Sequence, residues 1–486
     1  MKQRLLTTLL IAFVMPLGGF AQTPAKQRPN IVFILADDLG YGDVGFNRPA
    51  VAGQQLIKTP NIDRLAKEGM QFPQFYAGTS VCAPSRSALM SGLHSGHTYI
   101  RGNKSVSPEG QEPIADSVLT VAEVLQKAGY STGAFGKWGL GPVGSVGDPN
   151  KQGFDTFYGY NCQSLSHRHY PNHLWNNAKK VVLEGNQNLR STTEYAPDLI
   201  QKQALAFVDS RSDKQPFFLF LPYTLPHAEL TVPDDSLFRQ YKGKFPETPF
   251  PGKDYGPDAL TGGYASQAYP RAAYAAMVSR LDMYVGQIMA KLKEKGLDKN
   301  TIILFTSDNG PHVEGGGDPA FFTSTAGFRG VKRDLFEGGI RVPFVAHWPG
   351  VIRAGAKNDY IGAFWDLLPT FAELAGAKTP GGLDGLSFTA ALTGKGVQKK
   401  HDFLYWEFHE QGGRQAIRQG NWKAIRYKAA GNQEGAVELY DLAKDPYETT
   451  NLTPQNPEKA RKMGALMNSS RTPSVLFPFA ASRPAK

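Results

Sequence analysis

The sequence predicts an α/β protein with a large, mostly parallel mixed central sheet flanked by helices, followed by a smaller carboxyl-terminal subdomain with an antiparallel sheet. Continuous apolar runs alternate with segments of helical periodicity up to about residue 378, as in buried parallel sheets. Short segments of alternating polarity follow beyond residue 400. A chain of 486 residues can form a large domain and a smaller one, and we expect these at 22–378 and 379–486.

Individual elements follow from the same patterns. Pro60 begins a helix that Gly69 closes, and Gly129 and Gly296 close two later ones. These two later helices are predicted over 118–128 and 271–295, and another helix over 366–374. Strands are predicted over 30–36, 130–135, 217–223, 301–306 and 340–348. Residues 378–396 are predicted to be a linker, and the small sheet is expected from 403–408, 415–418, 422–426 and 437–442.

The amino terminus has the pattern of a secretory signal peptide over residues 1–21. Lys2 and Arg4 precede an apolar stretch over 5–20, and cleavage is expected after Ala21. Because the stretch is short and contains Pro16, a signal peptide is favoured over a membrane anchor. We therefore expect a secreted or periplasmic protein without a membrane anchor in its mature form.

The formal net charge is +10, which is compatible with an ordinary solvated surface or with attraction to a polyanionic ligand. Lysine and arginine are scattered rather than clustered, so nucleic-acid binding is not expected.

Two pairs of oxygen donors follow two of the predicted strands. Asp37 and Asp38 end the first, and Asp308 and Asn309 end a later one. Parallel strands present their carboxyl ends at one edge of the sheet, where ligands bind. Oxygen donors suit Ca²⁺ or Mg²⁺ better than zinc, although either pair alone could serve as turn or capping residues.

The sharpest motif is Cys82-Ala83-Pro84-Ser85-Arg86, followed by Leu89 and Gly92. With the motifs around it, the chain resembles the formylglycine-dependent sulfatases of the alkaline phosphatase superfamily, in particular bacterial carbohydrate sulfatases. The resemblance covers about 29–452. It implies that a maturation enzyme oxidises Cys82 to an aldehyde, whose hydrate attacks the sulfate sulfur. It also implies one metal ion, calcium rather than magnesium, held by the two oxygen-donor pairs.

The resemblance further implies a cationic set that binds the sulfate group and protonates the leaving group: Arg86, Lys137, His227 and Lys332. Leaving-group protonation is assigned to His227, together with Lys332. One position departs from the family pattern. Gly139 stands where relatives often carry a second histidine, and we expect His169 or His312 to fill that space.

The implied substrate is a sulfated carbohydrate, with galactose or N-acetylgalactosamine 4-sulfate favoured. A polar and aromatic cluster over 166–175 is interpreted as part of the substrate pocket rather than as a zinc site, since it lacks an acidic partner nearby. The residues predicted to bind substrate are His169, His312, Glu314 and His409.

Two other functions remain open from the sequence. A phosphatase or phosphodiesterase on the same fold would usually carry serine or threonine at position 82 and ligands for a second metal. A glycan-binding homologue with a decayed site is suggested by Gly139 but disfavoured by the intact catalytic set.

Overall fold

The computed structural model describes residues 28–48, 56–107, 109–187, 190–254, 263–431 and 435–479. The predicted signal peptide lies outside the described residues. Within those ranges, no helix combines the length and the apolar character needed to cross a bilayer.

The described strands are, in chain order, β1 (Asn30–Ala36), β2 (Met70–Gln71), β3 (Phe75–Tyr76), β4 (Ser105–Val106), β5 (Gly110–Gln111), β6 (Ser131–Lys137), β7 (Thr156–Tyr160), β8 (His173–Asn176), β9 (Lys179–Val182), β10 (Phe217–Pro222), β11 (Thr301–Ser307), β12 (Phe344–His347), β13 (Ala356–Lys357), β14 (Gly362–Ala363), β15 (Leu404–Phe408), β16 (Arg414–Gln419), β17 (Trp422–Tyr427) and β18 (Val437–Asp441).

The described α-helices are α1 (Pro60–Glu68), α2 (Cys82–Ser91), α3 (Val121–Lys127), α4 (Ala196–Asp209), α5 (Ser236–Arg239), α6 (Pro270–Glu294), α7 (Pro319–Phe322), α8 (Glu337–Ile340), α9 (Leu367–Leu374), α10 (Thr389–Thr393) and α11 (Pro457–Ser469).

Ten strands form the central sheet, in the order β13-β2-β12-β11-β1-β10-β6-β7-β8-β9. The five central strands, β11-β1-β10-β6-β7, run parallel to one another. Antiparallel pairings occur toward both edges, between β11 and β12 and between β7 and β8. The predicted fold class, a large mixed sheet with a parallel centre, is therefore confirmed.

The sheet separates two hydrophobic layers, and β1 contributes to both. Val32 and Ile34 pack on the face covered by α1, α4 and α6. Phe33 and Leu35 point to the opposite face, which α2, α3 and α9 cover. Alternate side chains of a strand point to opposite faces, so an uninterrupted apolar run is what a strand buried on both sides requires.

The carboxyl-terminal sheet, β15-β16-β17-β18, is antiparallel as predicted. One of its faces packs through Trp406 against Tyr76 and Trp365. The other face packs against α11, with Ile417 and Met463 in one cluster. The small sheet is thus joined to the region that holds the amino-terminal end of α2.

Two expectations differ from the structure. The strand predicted over 340–348 is shorter in the structure, because Ile340 belongs to α8, Arg341 forms only an isolated bridge with Tyr76, and the pairing with β11 begins at Phe344. The segment 378–396, predicted as a linker, contains α10, and its Phe388 and Leu392 are buried in the core.

Candidate active site

The register of two parallel strands brings the acidic pairs together. Ala36 at the end of β1 lies opposite Ser307 at the end of β11, so both chains leave the sheet at the same point. The Asp38 amide donates to Asp308 Oδ1 at 3.1 Å, and Asn309 Nδ2 donates to Asp38 Oδ1 at 2.7 Å. All four predicted metal ligands, Asp37 included, are fully buried.

Cys82 is the first residue of α2 and lies beside these carboxylates. Its thiol Sγ is 3.3 Å from Asp37 Oδ1, and the residue is almost completely buried. Burial, and then the charge of Asp37, raise the pKa of the Cys82 thiol well above its ordinary value. An unmodified cysteine here would therefore be a neutral thiol at neutral pH and a poor nucleophile.

Arg86 lies one helical turn after Cys82 and holds two parts of the site in place. Its Nε and Nη2 donate to Asp308 Oδ2 at 3.2 and 2.9 Å, and its Nη1 donates to the main-chain carbonyl of Lys137 at 2.6 Å. Through these bonds the guanidinium fixes the positions of the Asp308 carboxylate, a predicted metal ligand, and of the end of β6.

Two lysines flank the acidic groups. Lys137 Nζ is 2.7 Å from Asp37 Oδ2, and Lys332 Nζ is 2.7 Å from Asp38 Oδ2. Burial opposes the charge of both lysines, but Asp37 beside Lys137 and Asp38 beside Lys332 outweigh it and raise the pKa of each. Both side chains are therefore ammonium ions at neutral pH.

His227 follows β10 and lies in contact with Lys332. Its Nε2 is 2.9 Å from Lys332 Nζ and 3.2 Å from Asp38 Oδ2, while Nδ1 faces the carbonyl of Ala228. Burial and the positive charge of Lys332 hold the pKa of His227 well below its ordinary value. The contacts fit a neutral ring that donates a hydrogen bond from Nδ1 and accepts one from Lys332 at Nε2.

The donor set fits a hard divalent cation. Asn309 Oδ1 is buried and has no hydrogen-bond partner within the described ranges, although its amide nitrogen is bonded. Burial and the charge of Asp37 raise the pKa of Asp308, which shows that these carboxylates crowd one another. Ligand atoms of Asp37, Asp38, Cys82 and His227 all lie within 4.8 Å of one another. A cation here would receive an amide oxygen and carboxylate oxygens, the ligands that Ca²⁺ and Mg²⁺ prefer.

The space beside Gly139 is filled by Gln163. A Cβ placed on Gly139, which has φ +72°, would lie 2.4 Å from Gln163 Nε2. Gln163, and not His169 or His312, is therefore the side chain nearest to this position, and a functional substitution by either histidine stays a prediction. His169 is fully buried, and its ring packs near Tyr195 at 5.9 Å.

A different histidine, His167, lies beside the catalytic set. Its ring stacks on His227 with centroids 4.6 Å apart and planes 8° from parallel. The sequence analysis pointed to the 166–175 cluster, and within it to His169 rather than His167. Which of two histidines in a loop faces a site depends on the path of the loop, and no periodic pattern encodes that path.

The other predicted substrate residues divide into two places. His312 Nδ1 and Glu314 Oε2 lie 3.6 Å apart near Asp38, and neither atom has a hydrogen-bond partner in the described part of the chain. Arg333 Nη1 donates to the other oxygen of Glu314. His409 instead bonds Glu407 at 2.7 Å, in a network on the carboxyl-terminal sheet.

The cluster over 166–175 also separates in space. His173 and Trp175 both bond Glu109, at 2.7 and 3.0 Å, from strand β8 near the edge of the sheet. Among the described residues, groups that could hold a metal include none of the histidines of this cluster.

Comparisons with known proteins identify the family of this chain. The family described as Sulfatase matches residues 29–377, and the domain described as "N-sulphoglucosamine sulphohydrolase, C-terminal" matches 328–470. The chain is 30% identical to N-acetylgalactosamine-6-sulfatase of Mus musculus over 95% of its length and 84% of the relative. It is 31% identical to arylsulfatase A of Homo sapiens, over 87% of this chain and 83% of that one.

Among solved structures, that of Ps i-CgsB in complex with k-i-k-neocarrahexaose is similar. The TM-score is 0.73 with 30% identity, over 91% of this chain and 92% of the other.

Proposed function

This chain belongs to the sulfatase family and hydrolyses sulfate esters, and from that premise we propose that it is an exported carbohydrate sulfatase that uses formylglycine at position 82 and a bound calcium ion. The observation that carries the proposal is the convergence of Cys82, two oxygen-donor pairs and two charged lysines in one buried site. Export rests on the amino-terminal sequence pattern.

The properties of Cys82 support its role as a precursor rather than as the nucleophile itself. A raised thiol pKa disfavours the thiolate that a cysteine nucleophile requires. Oxidation to an aldehyde would supply a hydrate oxygen as the nucleophile at the same position. Asp37, which accepts the hydrogen bond of the thiol, would then be placed to hold the hydrate.

Asp37, Asp38, Asp308 and Asn309 would hold the calcium ion. When bound, such an ion offsets negative charge on the transferring group and orients the nucleophile. Lys137 contributes a fixed positive charge beside Asp37 and position 82, where a sulfate oxygen must approach. Arg86 keeps Asp308 in position through its two hydrogen bonds to Oδ2.

Lys332 and His227 are suited to protonating the leaving alkoxide. The Lys332 ammonium already donates toward His227 Nε2, so a proton can pass to the leaving oxygen from this pair. The two positive charges on Lys137 and Lys332 also favour binding of an anionic sulfate group between them.

His312 and Glu314 support recognition of a sugar. Nδ1 of His312 and Oε2 of Glu314 are two acceptors that face each other without a donor between them among the described residues. Two sugar hydroxyls, one for each acceptor, would supply the donors. Buried acceptors left unpaired cost about 1–3 kcal/mol each, so such a pair favours a ligand that satisfies both.

We infer a galactose-configured substrate, and the relatives shift the favoured ester position. The mouse relative is named for N-acetylgalactosamine 6-sulfate, whereas the resemblance noted from the sequence favoured the 4-sulfate. We therefore place the 6-sulfate first and the 4-sulfate second.

The test has two parts. Peptide mass spectrometry should find the aldehyde at position 82 after expression with a maturation enzyme. Sulfate release should then be measured on the 6-sulfate and 4-sulfate of N-acetylgalactosamine and on the 6-sulfate of N-acetylglucosamine, and phosphate release on 4-nitrophenyl phosphate. Release from either N-acetylgalactosamine ester supports the proposal. Activity confined to the glucosamine ester would overturn the sugar assignment, and faster phosphate release would favour a phosphatase.

A further inference from the structure

We propose that His167 is a positioning residue that holds the ring of His227 in the orientation required for leaving-group protonation. This inference rests on the proposed function, since it concerns the acid of that reaction. It assigns a role to a side chain that the motifs did not single out.

The first observation is the stacking geometry. The two imidazole rings lie 4.6 Å apart and 8° from parallel, so one face of His227 is covered by a flat partner. His312 approaches at 5.7 Å with an interplanar angle of 30°. Stacked rings attract one another by about 0.5–1.5 kcal/mol beyond their buried area, which is enough to bias a ring orientation.

The second observation is that His167 is itself held by the fold. Its carbonyl accepts a hydrogen bond from the Glu229 amide at 3.2 Å, two residues after His227. Arg168 forms a buried ion pair with Glu229 at 3.0 Å, and Tyr160 donates to the Arg168 carbonyl at 2.7 Å. The loop that carries His167 is thus tied to the loop that carries His227 through Glu229, and to β7 through Tyr160.

The third observation concerns what the stack controls. The polar contacts of His227 lie at its two nitrogens, with Nε2 facing Lys332 at 2.9 Å. A ring that tilts out of this plane separates Nε2 from Lys332 and from the leaving oxygen. Because general-acid catalysis depends on hydrogen-bond geometry, a loose ring lowers the rate of the chemical step more than substrate binding.

Charge supports a packing role for His167. Burial, and then the positive charges of Lys137 and Lys332, lower the pKa of His167 well below its ordinary value, against the opposing charge of Asp37. The ring is therefore neutral at neutral pH and adds no positive charge beside His227.

The experiment compares His167→Ala and His167→Phe in the matured protein on two substrates. One is the sugar sulfate that the parent hydrolyses, whose alkoxide leaving group needs a proton. The other is 4-nitrophenyl sulfate, whose leaving group does not. We expect His167→Ala to lower kcat on the sugar sulfate by about 10- to 100-fold, a part of the 10²–10⁴ available to an acid, with KM little changed. The loss on the aryl ester should be below about 3-fold, and His167→Phe should recover most of the sugar-sulfate rate.

His347→Ala, at a histidine on β12, is the matched control and should behave as the parent. If His167→Phe is as impaired as His167→Ala, the nitrogen atoms of His167 act directly and the positioning role is wrong. Equal losses on both esters, or none, also overturn it. The parent protein separates the two claims, because a parent inactive on both esters refutes the proposed function before any variant is measured.

Discussion

Adding calcium to the chelator-treated protein is expected to raise its melting temperature, because the donor set leaves negative charge and an unpartnered oxygen to be satisfied. Asp37, Asp38 and Asp308 are fully buried, and Asn309 Oδ1 has no hydrogen-bond partner in the described part of the chain. Folding without the ion must keep these groups together, whereas the unfolded chain separates them. The ion therefore binds the folded state preferentially and stabilises it.

The size of the effect can be estimated. Protein sites of several carboxylates bind calcium with dissociation constants of about 10 μM, so 1 mM calcium is about 100 times Kd and stabilises by about 2.7 kcal/mol. Unfolding entropy is about 2.1 cal/mol/K per residue, which gives about 1 kcal/mol/K for a chain of 486 residues. The expected rise is therefore about 3 °C.

Differential scanning calorimetry with and without calcium measures the shift, and Asp308→Asn tests its origin. Removing one of three carboxylate charges should raise Kd about 100-fold, leaving about 0.4 kcal/mol and a shift below 1 °C. Asp384→Asn is the matched control, because it removes one carboxylate from a separate group of possible metal ligands, Asp384, His94 and His97. A parent-sized calcium shift in Asp308→Asn, or its loss in Asp384→Asn, would refute the assignment.

Three further outcomes are expected. Cys82→Ser should lower kcat for sulfate-ester hydrolysis by at least about 10²-fold in a sulfate-release assay, because the substitution removes the side chain that is oxidised to the aldehyde. A variant with a rate like that of the parent would contradict this role of Cys82. Glu314→Gln should raise KM for the sugar ester about 10-fold and leave kcat on 4-nitrophenyl sulfate unchanged, because Glu314 Oε2 is one of the two acceptors proposed to bind sugar hydroxyls. A variant that loses only kcat would contradict this binding role. In Glu407→Gln, the melting temperature should fall less steeply than in the parent as the pH is lowered. Burial opposes the Glu407 charge, but hydrogen bonds from His409 and Arg471 outweigh it and lower the pKa from 4.5 to about 2. The resulting stabilisation of the folded state is about 3 kcal/mol; it is present above pH 4.5 and is lost as the pH falls toward 2. A melting temperature that falls with pH in the variant as it does in the parent would contradict this prediction.

The central sheet was predictable because burial on both faces leaves a direct mark on the sequence. The residues of β1 are all buried, and those of β11 likewise, and each strand contains an uninterrupted apolar stretch, over 31–36 and 302–305. Once both strands are parallel neighbours, the acidic pairs that follow them must meet, which is why Asp38 and Asp308 could be placed together before the structure was known.

Other elements leave no such mark. All ten residues of α2 are buried, so the helix that begins at Cys82 shows no amphipathic period. The small sheet was predicted from alternating polarity, but its docking on Tyr76 and Trp365 depends on contacts between distant segments. The same holds for His167 and Gln163, whose positions follow from the path of a loop rather than from local propensity.

Gly139 is better explained as part of a site in which Gln163 occupies the adjacent space than as the loss of a histidine that the site needs. Substitutions at position 139 can decide between these two explanations. The residue has φ +72°, a conformation that costs a side-chain-bearing residue about 1–2 kcal/mol, and Gln163 occupies the space into which a Cβ would project. Gly139→Ala should therefore lower the melting temperature by about 1–2 °C, using the unfolding entropy above. Gly139→His should be at least as unstable and should hydrolyse sugar sulfates more slowly than the parent, because the ring displaces the Gln163 amide. Adding Gln163→Ala to Gly139→Ala should relieve the contact with the amide but not the backbone strain, so the double variant should remain less stable than Gln163→Ala alone. A Gly139→His protein that is as stable as the parent and faster on sugar sulfates would show that the site lacks a histidine it needs.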